Sequence, residues 1–164
     1  MTGSDAPERV KQPNSRHCFV CGVENRDGFG LAFYETAPDR VDAVVVIPAK
    51  FEGYPGIAHG GIVASLLDEI TLRAAMVGRP DKFLVTGRML IRYRKPVRVG
   101  ESVHLQGTVR RRRGRTVEAS GRLLVGGEVA VEGEATLFES PEMGFATEKL
   151  ADLGWKVYPD QKAS

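Results

Sequence analysis

Gly56-Ile57-Ala58-His59-Gly60-Gly61 leads directly into a stretch with helical spacing. A helix start leaves its first-turn N–H groups without intrahelical partners and carries the positive end of the helix dipole. Glycines at that point let a ligand approach the backbone closely. The place suits an anion, or the oxyanion of a carbonyl under attack. The plainer alternative is that Gly60 and Gly61 only let the chain turn tightly. A second reactive group, Asp68, falls within the same helix among Ala64, Thr71, Leu72 and Ala75. A partly buried carboxylate loses hydration, which raises its pKa and suits it to general-base work. Its alternative is a pairing with an arginine across an interface. Glu69 has Arg73 one turn further along and reads as a surface ion pair.

Cys18-x-x-Cys21, preceded by His17, has the spacing of half a zinc site. A closed structural site wants four ligands, and the other histidines are His59 and His104. No metal is therefore expected, and two small buried thiols near the domain's start are the favoured reading. A redox pair would call for a βαβ setting that the flanking residues lack. Arg110, Arg111, Arg112, Arg113 and Arg115 surround Gly114. They read as a solvated hairpin tip paired in part with Glu118, Glu132 and Glu134, with a phosphate clamp as the sharper alternative. No aromatic residues interleave with them, so nucleic acid is not an expected partner. Gly-x-Ser-x-Gly, P-loop and His-Glu-x-x-His patterns are all missing, which removes serine-esterase and metallohydrolase readings.

These groups need a scaffold, and 164 residues with 42% apolar and 27% charged content suit one globular domain. The net charge of +2 is too balanced to point to nucleic acid or a membrane surface. No apolar run reaches the ~18 residues of a membrane span, and the cytoplasm is the expected location. Residues 1–15, with Pro7 and Pro13, read as a disordered arm, 16–138 as the domain, and 139–164 as a docking tail. Ile62, Val63, Leu66, Leu67, Ile70 and Ala74 make an apolar stripe that predicts a helix from about Gly60 to Val77. It ends before Gly78-Arg79-Pro80. Apolar stretches at Gly30–Phe33 and Val41–Ile47, with a turn at Asp39, precede it. After it come Leu84–Lys95 and then alternating segments around 103–109, 117–125 and 129–137, separated by Gly114 and Gly126-Gly127. The pattern predicts an α+β fold, one long helix on a curved antiparallel sheet.

His59-Gly60-Gly61-Ile62-Val63-Ala64-Ser65-Leu66-Leu67-Asp68 resembles the His-Gly-Gly helix of the PaaI-like branch of hotdog-fold acyl-CoA thioesterases. The strand Val85 to Pro96, followed by Gly100-Glu101, is similar to that family's central strand. Cys18-Phe19-Val20-Cys21-Gly22 with Asn25, Gly30 and Leu31 resembles a subgroup that includes the mitochondrial thioesterase-superfamily proteins. Together these matches cover residues 17–138. The resemblance implies a hotdog fold, a central helix wrapped by a curved antiparallel sheet, and hydrolysis of acyl-CoA without a cofactor. It implies Asp68 as base or nucleophile, Thr86 assisting it, the Gly60 N–H polarising the carbonyl, and His59 with Gly61 shaping the loop. Lys95, Arg112 and Arg113 are the residues expected to meet CoA. Gly53 stands where many relatives carry an Asn or Gln. The same fold also hosts acyl-thioester hydratases and dehydratases, and a non-catalytic acyl-CoA-binding module is the other alternative. Gly60 and Asp68 are eight residues apart, so at ~1.5 Å per residue they are separated by about 12 Å. A homodimer or dimer of dimers with sites shared between chains is therefore expected.

Overall fold

The computed structural model describes residues 9–160. One helix, α1 (Gly60–Ala75), packs against a sheet of seven strands. The strands are β1 (Val10–Lys11), β2 (Tyr34–Ala37), β3 (Arg40–Val46), β4 (Leu84–Tyr93), β5 (Ser102–Arg113), β6 (Thr116–Val125) and β7 (Glu128–Glu139). Every pairing is antiparallel, in the order β1-β2-β3-β5-β6-β7-β4. This is the α+β hotdog arrangement expected from the sequence. Hairpins at Gly114 and Gly126-Gly127, all with positive φ, join β5, β6 and β7. β4 crosses to the far edge beside β7, a non-local placement that no local pattern encodes.

The helix sits on a row of glycines. Gly107 pairs with Gly121, and Gly121 with Gly133, across three neighbouring strands. A Cβ at Gly107 would stand 2.2 Å from the Ile70 carbonyl oxygen, and one at Gly121 would stand 3.1 Å from Leu67 Cδ2. Leu66, Leu67, Ile70 and Ala74 are thereby fully buried against Val41, Val103, Leu105, Leu123 and Val131. Each large apolar side chain so buried contributes ~1.5–3 kcal/mol. The helix ends at Ala75, two residues before Val77, and Gly78 at φ +68° turns the chain away. Among the described residues no helix is long and apolar enough to cross a membrane.

Several local expectations need revision. Gly30–Phe33 is not a strand: β2 begins at Tyr34, and Leu31 and Phe33 bury their side chains from irregular backbone. Of the stretch 1–15 read as an arm, residues 1–8 lie outside the described residues, while Val10–Lys11 pairs with β2. Gln12 and Asn14 are buried, with Asn14 Nδ2 donating to the Cys21 and Leu31 carbonyls at 2.8 and 3.0 Å. Asn14 also bridges to Lys156, so the N-terminal segment meets the C-terminal tail. In the tail, Trp155 packs on Phe83 (centroids 5.4 Å apart) and donates to the Pro80 carbonyl at 2.8 Å. The Glu69–Arg73 pair forms at 2.8 Å, but it is not a surface pair. Arg73 is only 1% exposed, its guanidinium 4.6 Å from the Phe33 ring centre and 5.1 Å from that of Trp155.

The glycine seat makes a graded prediction. Gly107→Ala should lower the unfolding free energy by about 1–3 kcal/mol, since the methyl has backbone rather than a flexible side chain in its way. Gly133→Ala, whose Cβ would be 3.4 Å from the nearest atom, should lose less. Denaturant unfolding of the two variants checks the order.

Candidate active site

The N-terminus of α1 is capped by His59, whose extended backbone (φ −60°, ψ 134°) precedes the first helical turn. Its Nδ1 accepts from the Gly61 N–H at 2.9 Å, so the neutral ring carries its proton on Nε2. That cap uses the Gly61 donor. The Gly60 N–H has no acceptor among the described residues, and Gly60 is exposed. It is the free donor that the helix start offers to a ligand. Tyr93, at the end of β4, donates its hydroxyl to the Gly60 carbonyl at 2.8 Å and lays its ring beside the glycine. Partial desolvation raises the Tyr93 pKa and keeps the hydroxyl a donor. No sequence signal singled out Tyr93. A cleft of about 210 Å³ opens here, lined by Gly60, Tyr93, Arg94, Lys95 and Val131 among others. A side chain at Gly53 would begin 3.3 Å from His59 Cα and 3.5 Å from the imidazole Cδ2, pressing on the cap.

Asp68 is half-buried on the flank of α1 that faces β4. The Thr86 hydroxyl donates to its Oδ1 at 2.6 Å, a short charge-assisted bond. What aims Thr86 there is a bulge. Thr86 pairs with Leu137 and Arg88 with Thr136, leaving Gly87 as the extra residue on β4. A Cβ at Gly87 would lie 2.2 Å from the Phe138 ring, so a side chain there would displace that exposed ring where the strand kinks. Asp68 Oδ2 has no donor among the described residues and is free to take a proton or to attack.

The structure separates the other candidates. Lys95 lines the cleft beside Gly60 and pairs with Glu128. Arg112 lies at the opposite end of α1, where it donates to the Ala75 carbonyl at 3.0 Å and to Asp39 at 2.8 Å. It caps the helix C-terminus, where a cation is stabilised by the dipole. Arg113, next to it, is exposed. Within one chain these arginines lie at the helix end remote from Gly60, ~22 Å along the axis. Of the carboxylates expected to pair with the arginine run, Glu132 pairs instead with Arg94, while Arg110 donates to Ser120 Oγ at 3.1 Å. A wider hollow of about 740 Å³, lined in part by Arg40, Asp42 and His104, contains none of the predicted catalytic groups.

The fold and this site resemble those of hotdog-fold thioesterases. Residues 55–131 match the model of the thioesterase superfamily. Acyl-coenzyme A thioesterase THEM4 of Rattus norvegicus is 25% identical over 130 residues, 79% of this chain and 55% of that protein. A solved thioesterase superfamily protein is 28% identical with a TM-score of 0.67, over 76% of this chain and 61% of that one. The chain thus spans little more than half the length of its curated relative. The PaaI protein of the E. coli phenylacetic acid degradation operon shares the fold, with a TM-score of 0.62 at 14% identity, over 68% of this chain and 80% of that one.

The cap predicts that His59→Ala should cost about 0.5–2 kcal/mol of stability by freeing the Gly61 donor, measurable by denaturant unfolding.

Proposed function

We propose that the protein hydrolyses acyl-CoA thioesters, with each site assembled from Gly60 of one chain and Asp68 of another. The observation that carries this reading is the Thr86–Asp68 bond at 2.6 Å on a helix whose starting N–H is free. One carboxylate oxygen is held and the other is left for chemistry. The similarity to an acyl-coenzyme A thioesterase supports the substrate class.

In this mechanism the thioester oxygen accepts from the Gly60 N–H, which stabilises the negative charge that develops there. Asp68 Oδ2 then takes a proton from water as the water oxygen bonds to the carbonyl carbon. The C–S bond breaks, and CoA leaves as a thiolate that is protonated to the thiol. In the other route Asp68 itself attacks, forming an anhydride that water hydrolyses. Thr86 steadies Oδ1 in both. Lys95 stands where a ligand phosphate entering beside Gly60 would pass, while Arg112 and Arg113 reach a site only from the partner's side. Sharing is required because both groups must come within ~3 Å of one carbonyl, whereas ~12 Å of helix separates them. The open β4 edge, with exposed Val85, Leu90 and Tyr93, offers the surface for a second copy.

The test follows free-thiol release from a panel of acyl-CoAs. Wild type should release CoA with at least one acyl group. Asp68→Asn should lower kcat by at least ~10²-fold with the fold intact. Thr86→Ala should lower it by ~10-fold or more, and Thr86→Ser should recover most of the loss. Saturable acyl-CoA binding without thiol release by wild type would contradict hydrolysis.

A further inference from the structure

Cys18 and Cys21 play no part in the thioester chemistry, yet their loop is built around their sulfurs. The sequence offers these thiols no third ligand, because His17 is exposed and outside the group they form. The fold supplies one from α1. Cys18 Sγ, Cys21 Sγ and a Glu69 carboxylate oxygen all lie within 4.8 Å of one another. Cys18 Sγ stands 4.0 Å from Glu69 Oε2, and no disulfide joins the cysteines. With Zn–S of about 2.3 Å and Zn–O of about 2.0–2.2 Å, tetrahedral ligand atoms lie roughly 3.5–3.8 Å apart, so only small shifts would close this group on one ion.

The surrounding backbone is arranged for sulfur ligands. The N–H groups of Val20 and Cys21 both donate to Cys18 Sγ at 3.3 Å, and the Ser15 N–H donates to Cys21 Sγ at 3.4 Å. Such donors orient thiolates and offset their charge. The turn closes with the Gly22 N–H on the Cys18 carbonyl at 2.8 Å, and a Cβ at Gly22 would lie 2.3 Å from that oxygen. Glu69 is oriented in turn: its Oε1 accepts from Arg73 Nε at 2.8 Å, leaving Oε2 towards Cys18. Arg73 is buried, and its Nη2 has no partner among the described residues.

We propose that Cys18, Cys21 and Glu69 hold one zinc-class divalent ion, with water in the fourth position on the half-exposed Cys18 side. Both thiol protons leave to solvent on binding. Two thiolates, one carboxylate, the dication and Arg73 then sum to zero, so the ion adds no net charge to a mostly buried cluster. Thiolate ligands select zinc or another soft ion over magnesium or calcium. The ion would fasten the N-terminal loop to α1 one residue from Asp68.

The full chain, reduced and stripped of metal, is titrated with Co²⁺ under anaerobic conditions and then with Zn²⁺. The expected result is one equivalent bound, with a thiolate-to-cobalt charge-transfer band that Zn²⁺ displaces. Cys18→Ser and Cys21→Ser should each abolish tight binding. Glu69→Gln should weaken it by at least ~10–100-fold, with circular dichroism confirming its fold. A second readout needs no variant: mercurial titration of the wild-type zinc form should release the metal in step with loss of two thiols. Failure of reduced wild type to take up either ion would overturn the proposal. So would cobalt bound without the thiolate band, or an affinity unchanged in Glu69→Gln.

Discussion

The close seating of one helix on three glycines is the constraint from which the rest of the molecule follows. Gly107, Gly121 and Gly133 lie side by side across β5, β6 and β7, and a Cβ at Gly107 or Gly121 would press on Ile70 and Leu67. Because Leu67, Ile70 and Thr71 face the glycines, the rotation of α1 about its own axis is fixed. Each successive residue turns by ~100°. Asp68 is therefore carried to the β4 flank and Glu69 to the flank of the N-terminal loop, where Cys18 waits. Two neighbouring carboxylates acquire unrelated surroundings because the helix cannot roll.

The second constraint is the edge strand. A regular β4 would continue its alternation past Thr86, and Gly87 breaks it with one extra residue whose missing side chain makes room for Phe138. That kink brings the Thr86 hydroxyl to Asp68. Further along, the same strand brings Tyr93 to the Gly60 carbonyl. One strand thus braces both the carboxylate and the helix start, which stand ~12 Å apart on α1. The two halves of the proposed chemistry are held to a common frame without touching each other. In the proposed mechanism a second copy of the frame unites them.

The helix, its glycine start and the isolated Asp68 were legible in the sequence because each is a local signal: spacing, residue type and the run of small neighbours. Thr86 could be placed only through the family resemblance, since a threonine in a β-branched strand carries no chemistry of its own. Its bulge did have a signal, a glycine inside a strand pattern. The ordered N-terminal segment was hidden by its polar composition. Gln12 and Asn14 are buried by hydrogen bonding rather than by apolarity, Gln12 to the Arg73 carbonyl and Asn14 to the Cys21 and Leu31 carbonyls. Arg73 looked like half of an exposed i,i+4 pair because nothing nearby in sequence announces that Phe33 and Trp155 will enclose it. Arg112 likewise belonged to a charge run until the fold set it against the far end of the helix. What escaped the sequence was long-range contact, above all the contacts of long cationic side chains.

The claim most open to direct refutation is that Gly60 and Asp68 act together only across a pair of chains. Folded but inactive Asp68→Asn and Gly60→Val proteins are mixed under conditions that exchange subunits, with exchange shown by mass-labelled heterodimers. Each mixed dimer then holds one intact and one doubly damaged site. Activity should return to about a quarter of the wild-type value at equal mixing. A mixture that remains inactive after demonstrated exchange would contradict the shared site.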